Sequence, residues 1–266
     1  MARAQGIARV TPAALILAGS RRLAGKGRVE PVAEAEGVSH KALIRIEGAT
    51  LLERVVGAVR GAGLERIAVC ADDPEVVALA RALGAEVIAP ASGPSASVGR
   101  AFDMLGAPLL VTTADHALLQ SRWIGDFLAD CPASADVALV MARRETVEAA
   151  MPGSRRTWLR FADGEWSGCN LFLLTSDRAR AAIETWRMVE ANRKRPWRIA
   201  MRLGPGTLIA YALRRLTLAE ALARLGRRIG IAAGMVAARD GLAAVDVDKP
   251  SDLADVRLLL SRRRAA

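Results

Sequence analysis

The stretch AALILAGSRR, residues 13–22, is an apolar run that ends in a small-residue turn and is followed at once by two arginines. It is too short for a membrane span, which needs about 18 consecutive apolar residues, and about half as long as the apolar core of a secretory signal. We therefore interpret it as the first strand of an α/β sheet. A glycine in such a turn lets backbone N–H groups approach a ligand, and amides beside cations suit phosphate oxygens.

The same alternation of short apolar runs and longer amphipathic stretches continues along the chain, as is typical of β-α-β units in a mostly parallel sheet. Predicted strands cover residues 13–18, 67–70, 86–88, 109–113 and 137–141, and predicted helices cover 51–62, 74–83, 97–105 and 121–129. After Arg143 the pattern predicts a hairpin-like pair at 158–161 and 171–174, a helix over 177–192, and a helix capped by Thr217. We expect one domain over residues 1–266, with an insertion at 150–240.

Composition narrows the class of protein. The 266 residues are 52% apolar and 25% charged, which excludes disorder for most of the chain. The formal net charge is +10, but aromatic residues do not interleave with the basic clusters and no nucleic-acid motif is present, so we expect no nucleic-acid partner. Contact of the basic clusters with a membrane surface stays open. Three widely spaced cysteines, Cys70, Cys131 and Cys169, fit no disulfide framework and indicate a reducing cytoplasm.

Two lysines are candidates for a phosphate-binding role. Lys41 precedes an apolar segment, a Glu-Gly turn and an amphipathic helix in HKALIRIEGATLLERVVGAV, residues 40–59. A lysine held beside a triphosphate neutralises charge that develops on its oxygens. Lys26, in LAGKGR, is an alternative for the same role, and either lysine could also be simply solvated.

Acidic residues follow two apolar segments that lie far apart in the chain. Asp115 ends the run PLLVTTADH, residues 108–116, and ligands of open parallel sheets bind outside the carboxyl ends of the strands. The segment AAVDVDKPSDL, residues 243–253, supplies Asp246 and Asp248 at alternate positions of a second predicted strand end. Mg²⁺ usually takes one or two protein carboxylates, so we predict that these acids meet at one cation. Alternatively, Asp115 only caps the following helix.

Four segments described above, at 13–22, 40–59, 108–116 and 243–253, resemble in this order the MobA-like nucleotidyltransferase family. The family has a glycosyltransferase-A-like fold, which is a Rossmann-like, mixed but mostly parallel sheet flanked by helices. The likeness rests on ILAGS at 16–20, KALIRIEGATLLERV at 41–55, Asp115, and DVDKPSDL at 246–253. It implies transfer of a nucleoside monophosphate from an NTP to a phosphorylated acceptor, with release of pyrophosphate and with Mg²⁺ as cofactor. The expected partners are CTP or GTP and a small or lipid-precursor phosphate. The insertion at 150–240 would then shape the acceptor side.

The resemblance also assigns roles to individual residues. Catalytic roles fall on Arg22 and on Lys41 or Lys26, and acceptor binding falls on His116 and Asn170. The expected metal ligands are Asp115, Asp248 and Asp246. The expected nucleotide-binding residues are Leu17, Ala18, Gly19, Ser20, Arg21, Gly93, Pro94, Ser95 and Ser97.

Two other functions stay open at this point. One is a glycosyltransferase of the same fold that consumes a nucleotide-sugar, and the other is a catalytically inactive nucleotide-binding protein. A glycosyltransferase would carry its D-x-D at the end of the central strand, where this chain has only Asp115.

Overall fold

The computed structural model of the chain describes residues 10–19, 30–154, 156–192 and 204–265. These residues form a sheet in the order β10-β7-β9-β6-β1-β4-β5, with β8 paired to β9. Strands β1, β4, β5 and β6 are parallel to one another, β7 is parallel to β10, and β9 is antiparallel to β6 and β7. The strands are β1 (Ala13–Leu17), β4 (Ile67–Cys70), β5 (Glu86–Ile88), β6 (Leu109–Thr113), β7 (Val137–Arg143), β8 (Leu159–Phe161), β9 (Gly164–Leu174) and β10 (Ala233–Ala237).

Helices connect the strands, and a two-residue hairpin of β2 (Arg45–Ile46) and β3 (Ala49–Thr50) precedes the second of them. The helices are α1 (Pro31–Ala35), α2 (Leu51–Gly61), α3 (Pro74–Ala82), α4 (Pro94–Leu105), α5 (Ser121–Asp130), α6 (Arg144–Ala150), α7 (Arg180–Ala191), α8 (Pro205–Ala212), α9 (Leu218–Ile229) and α10 (Pro250–Ala265). Thr50 and Thr217 begin α2 and α9 with reciprocal capping boxes. The predicted Glu-Gly turn is confirmed, since Glu47 and Gly48 both have positive φ, as a tight hairpin turn requires.

The core lies in two layers, one on each face of the sheet. Alternate residues of a strand point to opposite faces, so Ile16 of β1 packs towards α2, α5 and α10, whereas Leu15 packs towards α4 and α7. Both side chains are completely buried. This burial confirms the prediction of a mostly parallel sheet covered by helices on both faces.

The strand predicted at residues 243–248 is wrong. Residues Gly241–Ala244 form a 3₁₀ turn, capped by the side chain of Asp240, and the acids at 246 and 248 follow in a segment without strand pairing. The turn lies against α6, where a side chain on Gly241 would overlap the backbone of Thr146. The strand at this edge of the sheet is instead β10, which lies earlier in the chain and pairs with β7.

The hairpin predicted from 158–161 and 171–174 is right only in its turn, because β8 pairs with Gly164–Trp166 at the start of β9, whereas residues 172–174 pair with β6 and β7. The helix predicted over 177–192 divides into a 3₁₀ turn at Asp177–Ala179 and α7. The range 150–240 also supplies β9 to the interior of the sheet and β10 to its edge. In the described ranges, no helix is both long and apolar enough to cross a bilayer.

Candidate functional site

The carboxyl ends of three parallel strands lie level at one edge of the sheet. Leu17, the last residue of β1, pairs with Thr113 of β6 and with Cys70 of β4. The segments that follow these strands therefore meet at this edge, and they include Gly19 and Asp115. This is where open parallel sheets bind their ligands.

A lysine bridges the two predicted metal ligands at this edge. The Nζ atom of Lys41 lies 2.5 Å from Oδ2 of Asp115 and 2.8 Å from Oδ1 of Asp248. We call these three residues the Lys41 cluster. The lysine side chain is 17% exposed and that of Asp115 10%, whereas Asp248 is 45% exposed. Both acids thus contact the same ammonium group, and their joint binding of a metal ion stays a prediction.

Backbone contacts hold the Lys41 cluster together. The N–H of Val247 donates to the carbonyl of Asp115 over 3.0 Å, which ties the C-terminal segment to the end of β6. The N–H of Lys41 donates to Glu30 over 2.9 Å, and the buried ring of His40 caps the 3₁₀ turn by accepting from Ala42. Because its neighbours fix the backbone on both sides, Lys41 is positioned before any ligand arrives.

The electrostatics of the Lys41 cluster favour a charged lysine. Burial alone would lower the pKa of Lys41, but the charges of Asp115 and Asp248 outweigh it and hold the pKa above its usual value. The Oδ1 atom of Asp115 is buried and accepts no hydrogen bond from the described residues. Buried carboxylate oxygens normally have a partner, so this one is a candidate contact for a bound ion or water.

A second charged group lies beside the Lys41 cluster. Arg156 donates to Oδ1 of Asp246 over 2.8 Å, and the amide of Asn170 donates to Oδ2 over 2.8 Å. The Nε of Arg156 also lies 3.4 Å from Oγ of Ser167. We call these four residues the Arg156 cluster. Burial raises the pKa of Asp246 against the opposing effect of Arg156, and the charge of Asp115 adds to the rise.

A bulge in β9 aims Asn170 at this cluster. The register between β7 and β9 shifts between Leu139 and Met141, and Asn170 has a φ of 49°. Bulges often redirect a side chain next to a functional site. Asparagine tolerates the left-handed conformation better than most residues, which suits it to this position.

The predicted nucleotide loop at 93–97 forms the start of α4. Pro94 is the first helical residue, and the hydroxyl of Ser97 accepts from Ala91 and donates to the carbonyl of Gly93. Glu190 of α7 accepts from the N–H of Ser95 over 3.2 Å and from its hydroxyl over 2.5 Å. A side chain on Gly93 would overlap Glu190, so the glycine allows this carboxylate to approach.

His116, the other predicted acceptor contact, is 1% exposed and stacks on Trp123 with ring centroids 6.2 Å apart. Burial lowers its pKa to about 4. This position favours packing over contact with an acceptor.

Four of the predicted site residues lie outside the residues that the structure describes: Ser20, Arg21, Arg22 and Lys26. Of the two candidate phosphate-binding lysines, the structure therefore describes only Lys41, which it places at the strand ends.

A known protein family matches most of this chain. The family model described as the MobA-like NTP transferase domain matches residues 14–225. The chain belongs to the MobA-like NTP transferase family. A comparison with curated proteins gives no match.

Solved structures share the fold of this MobA-like NTP transferase. A hypothetical transferase from Thermus thermophilus is 30% identical, with a TM-score of 0.78 over 92% of this chain and 100% of that chain. A CMP:2-keto-3-deoxy-manno-octonic acid synthetase complexed with CTP is 19% identical (TM-score 0.55; 96% and 100% covered), and a nucleotidyl transferase from Methanothermobacter is 17% identical (TM-score 0.57; 96% and 100% covered). Because these two structures are less than 20% identical to this chain, they show only that the fold is shared.

Three site residues of this MobA-like NTP transferase escaped the sequence analysis: Glu30, Arg156 and Glu190. Arg156 is the second of two adjacent arginines, and nothing local separates it from a solvated one. Glu190 is one acid on an amphipathic helix, and its contact with Ser95 spans 95 residues. Glu30 precedes a proline at a helix start, which is a local signal, but its bond to Lys41 is tertiary.

Proposed function

We propose that this chain transfers a nucleoside monophosphate from an NTP to a phosphorylated small molecule. A phosphate oxygen of the acceptor forms a bond to the α-phosphorus, the bond from that phosphorus to the bridging oxygen of the β-phosphate breaks, and pyrophosphate leaves with the electron pair. Such transfers are accelerated mainly by positioning and by neutralisation of charge. The protein therefore needs cations and backbone amides at the phosphates, and it needs no nucleophile.

The observation that carries the proposal is the position of Lys41 between Asp115 and Asp248 at the level ends of β1 and β6. The lysine is charged, partly buried and preoriented by Glu30. When a triphosphate binds at the Gly19 turn, we expect the ammonium of Lys41 to bind phosphate oxygens in place of one carboxylate. Leu17, Ala18, Gly19 and the 93–97 loop complete the proposed nucleotide site, together with Ser20, Arg21 and Arg22.

The carboxylates of the Lys41 cluster fit a divalent cation. They are hard oxygen donors, and the buried Oδ1 of Asp115 has an unused acceptor position among the described contacts. In the described part of the chain no three His, Cys, Asp or Glu side chains form a ready-made metal site, but Mg²⁺ needs only one or two carboxylates beside phosphate oxygens. Asp115 and Asp248 would hold the ion, with Asp246 behind them, and a bound Mg²⁺ supplies Lewis-acid neutralisation of the phosphates.

The Arg156 cluster supports an acceptor site on the other side of the same acids. The side chain of Arg156 is 14% exposed, and its Nη1 makes no hydrogen bond to the described residues. A guanidinium held on one side by a carboxylate can present its remaining donors to a phosphate. We infer that Arg156 and Asn170 contact the acceptor, whereas Asp246 positions both of them.

The test is a product assay. The purified protein is incubated with each of the four NTPs, Mg²⁺ and a panel of sugar, polyol and alcohol phosphates, and pyrophosphate and nucleoside diphosphate are measured separately. The proposal expects pyrophosphate only when a matching acceptor is present. Release of nucleoside diphosphate from a nucleotide-sugar would instead support a glycosyltransferase, and neither product with any pair would support a nucleotide-binding protein.

A further inference from the structure

His40 lies directly before Lys41 and is 1% exposed. Its Nδ1 accepts from the N–H of Ala42 over 3.0 Å, and this bond caps the 3₁₀ turn that carries Lys41. Serine, asparagine or aspartate would provide the same cap on a smaller side chain. The cap alone therefore does not explain why a buried imidazole occupies this position.

The second ring nitrogen of His40 faces Glu30. Because Nδ1 accepts a hydrogen bond, the neutral ring carries its proton on Nε2. Nε2 lies 3.7 Å from Oε1 of Glu30, and it makes no hydrogen bond to the described residues. Burial lowers the pKa of His40, and the charge of Glu30 is the largest effect that opposes this fall. A shift of less than about 1 Å would therefore bring this N–H within hydrogen-bond distance of the carboxylate.

Glu30 holds Lys41 with its other carboxylate oxygen. Oε2 accepts from the backbone N–H of Lys41 over 2.9 Å, and the side chain of Glu30 is 13% exposed. A carboxylate has two acceptor oxygens, so Glu30 can serve Lys41 and His40 together, whereas the amide of glutamine has one oxygen. The two side chains thus hold the backbone at Lys41 in complementary ways, since His40 caps the turn and Glu30 binds the Lys41 N–H directly.

The position of this backbone matters because one side chain has to reach two acids. The Nζ atom of Lys41 lies 2.5 Å from Asp115 and 2.8 Å from Asp248. A displacement of the turn would lengthen these contacts and move the ammonium group away from the strand ends. A misplacement of about 1 Å in a catalytic group can cost about 10²-fold in rate.

We propose that His40 is a positioning residue, which fixes Lys41 for nucleotidyl transfer by keeping Glu30 on the Lys41 N–H in addition to capping the turn. This inference rests on the proposed function, because the position of Lys41 affects a rate only if its ammonium group binds the phosphates. His40 acts through Glu30 and is not itself a catalytic residue. Supporting contacts of this kind hold catalytic groups within about 0.5 Å of the productive geometry.

His40→Asn separates the two contacts of the ring. Asparagine places an oxygen near the position of Nδ1 and keeps the cap, but it has no group at the position of Nε2. We expect kcat for pyrophosphate release to fall about ten-fold and KM for the NTP to stay within about three-fold. Ser39→Ala is the matched control. Ser39 is exposed and its hydroxyl donates to Asp73 over 3.1 Å, so kcat should stay within about two-fold of the parent.

A double-mutant cycle tests whether His40 acts through Glu30. Glu30→Gln should lower kcat, and the variant that combines it with His40→Asn should lie within about two-fold of the slower single variant. Independent effects would multiply instead. The control cycle combines Ser39→Ala with Glu30→Gln, and there the two effects should multiply.

Hydrogen exchange at the Lys41 amide, followed by NMR without nucleotide, tests the positioning separately from the reaction. In His40→Asn this amide should exchange about ten-fold faster, whereas the Ala42 amide, which is still capped, should change less than about three-fold.

Three results would each overturn the role of His40: parental kcat in His40→Asn, multiplied effects in the cycle with Glu30, or unchanged exchange at Lys41. A parent protein that releases no pyrophosphate with any acceptor would instead overturn the proposed function. Exchange at Lys41 would then decide alone whether His40 fixes this residue.

Discussion

Lys41 and Asp115 are separated by 74 residues, and their side chains meet over 2.5 Å at the carboxyl edge of the sheet. The lysine belongs to the 3₁₀ turn before α2, and the aspartate follows β6. Both are mostly buried, so each charge depends on the other for compensation. Removing one partner should therefore affect both the chemistry and the stability of the fold.

Lys41→Met should lower the rate of pyrophosphate release by about 10²–10³-fold, because a preorganised cation at the phosphates is lost. The measurement is the initial rate at saturating NTP, with thermal unfolding recorded to confirm a folded protein. Lys249→Met is the control, since Lys249 is an exposed lysine at the end of the same acidic motif, and its rate should stay within about two-fold of the parent. If the Lys41→Met variant keeps half the parental rate, Lys41 is not a catalytic residue.

Asp115→Asn and Asp248→Asn should each lower the rate at least about ten-fold and weaken divalent-ion binding, because each removes a carboxylate from the proposed cation site. Binding is measured with Mn²⁺ by electron paramagnetic resonance, in the absence of NTP and in its presence. Asp255→Asn, an exposed acid on α10, should change neither quantity. If both site variants form product as fast as the parent at saturating Mg²⁺, these acids hold no catalytic metal.

Arg156→Gln should raise KM for the acceptor about ten-fold and leave KM for the NTP unchanged, since a charged hydrogen bond to a phosphate is lost on the acceptor side only. Arg160→Gln serves as the control, because Arg160 lies on the neighbouring hairpin with its side chain 59% exposed. An equal rise in both KM values would indicate that Arg156 supports the whole site instead of the acceptor alone.

The two histidines make stability depend on pH. Burial lowers the pKa of His40, and it lowers the pKa of His116 to about 4, so both are neutral in the folded protein at pH 7. In the unfolded chain each takes up a proton near its ordinary pKa of about 6.5. The unfolded state therefore binds more protons below that pH, and the free energy of unfolding falls on acidification.

For His116 this loss amounts to about 3 kcal/mol when the pH falls from about 7.5 to 4. Urea unfolding at intervals across this range measures it. His116→Gln should flatten the dependence, even if the variant is less stable throughout. A free energy of unfolding that rises as the pH falls from about 7 to about 5 would contradict the lowered pKa values of the two histidines.

Local signals explain why much of the fold could be predicted from the sequence. The apolar runs of β1 and β6 are buried on both faces, and capping residues such as Thr50 and Thr217 mark helix starts within a few positions. The segment at 243–248 was harder, because its alternation of apolar and acidic residues is typical of a strand. Its actual conformation depends on contact with α6 and on the bond from Val247 to Asp115.

The site was predictable only in part. The level ends of parallel strands bring Asp115 and Gly19 to one edge, and this follows from the topology alone. The finding that an ammonium group lies between Asp115 and Asp248 does not follow, since no local pattern states which lysine reaches them. Arg156 and Glu190 meet their partners through the bulge in β9 and the packing of α7 on α4, which are tertiary events.

The bonds that Asp248 and Val247 make to Lys41 and Asp115 join a segment that follows every described strand to the end of a central one. The strands and the two halves of the Lys41 cluster are therefore assembled separately. The sheet supplies Asp115, and Asp248 reaches Lys41 only when residues 246–248 pack against the end of β6.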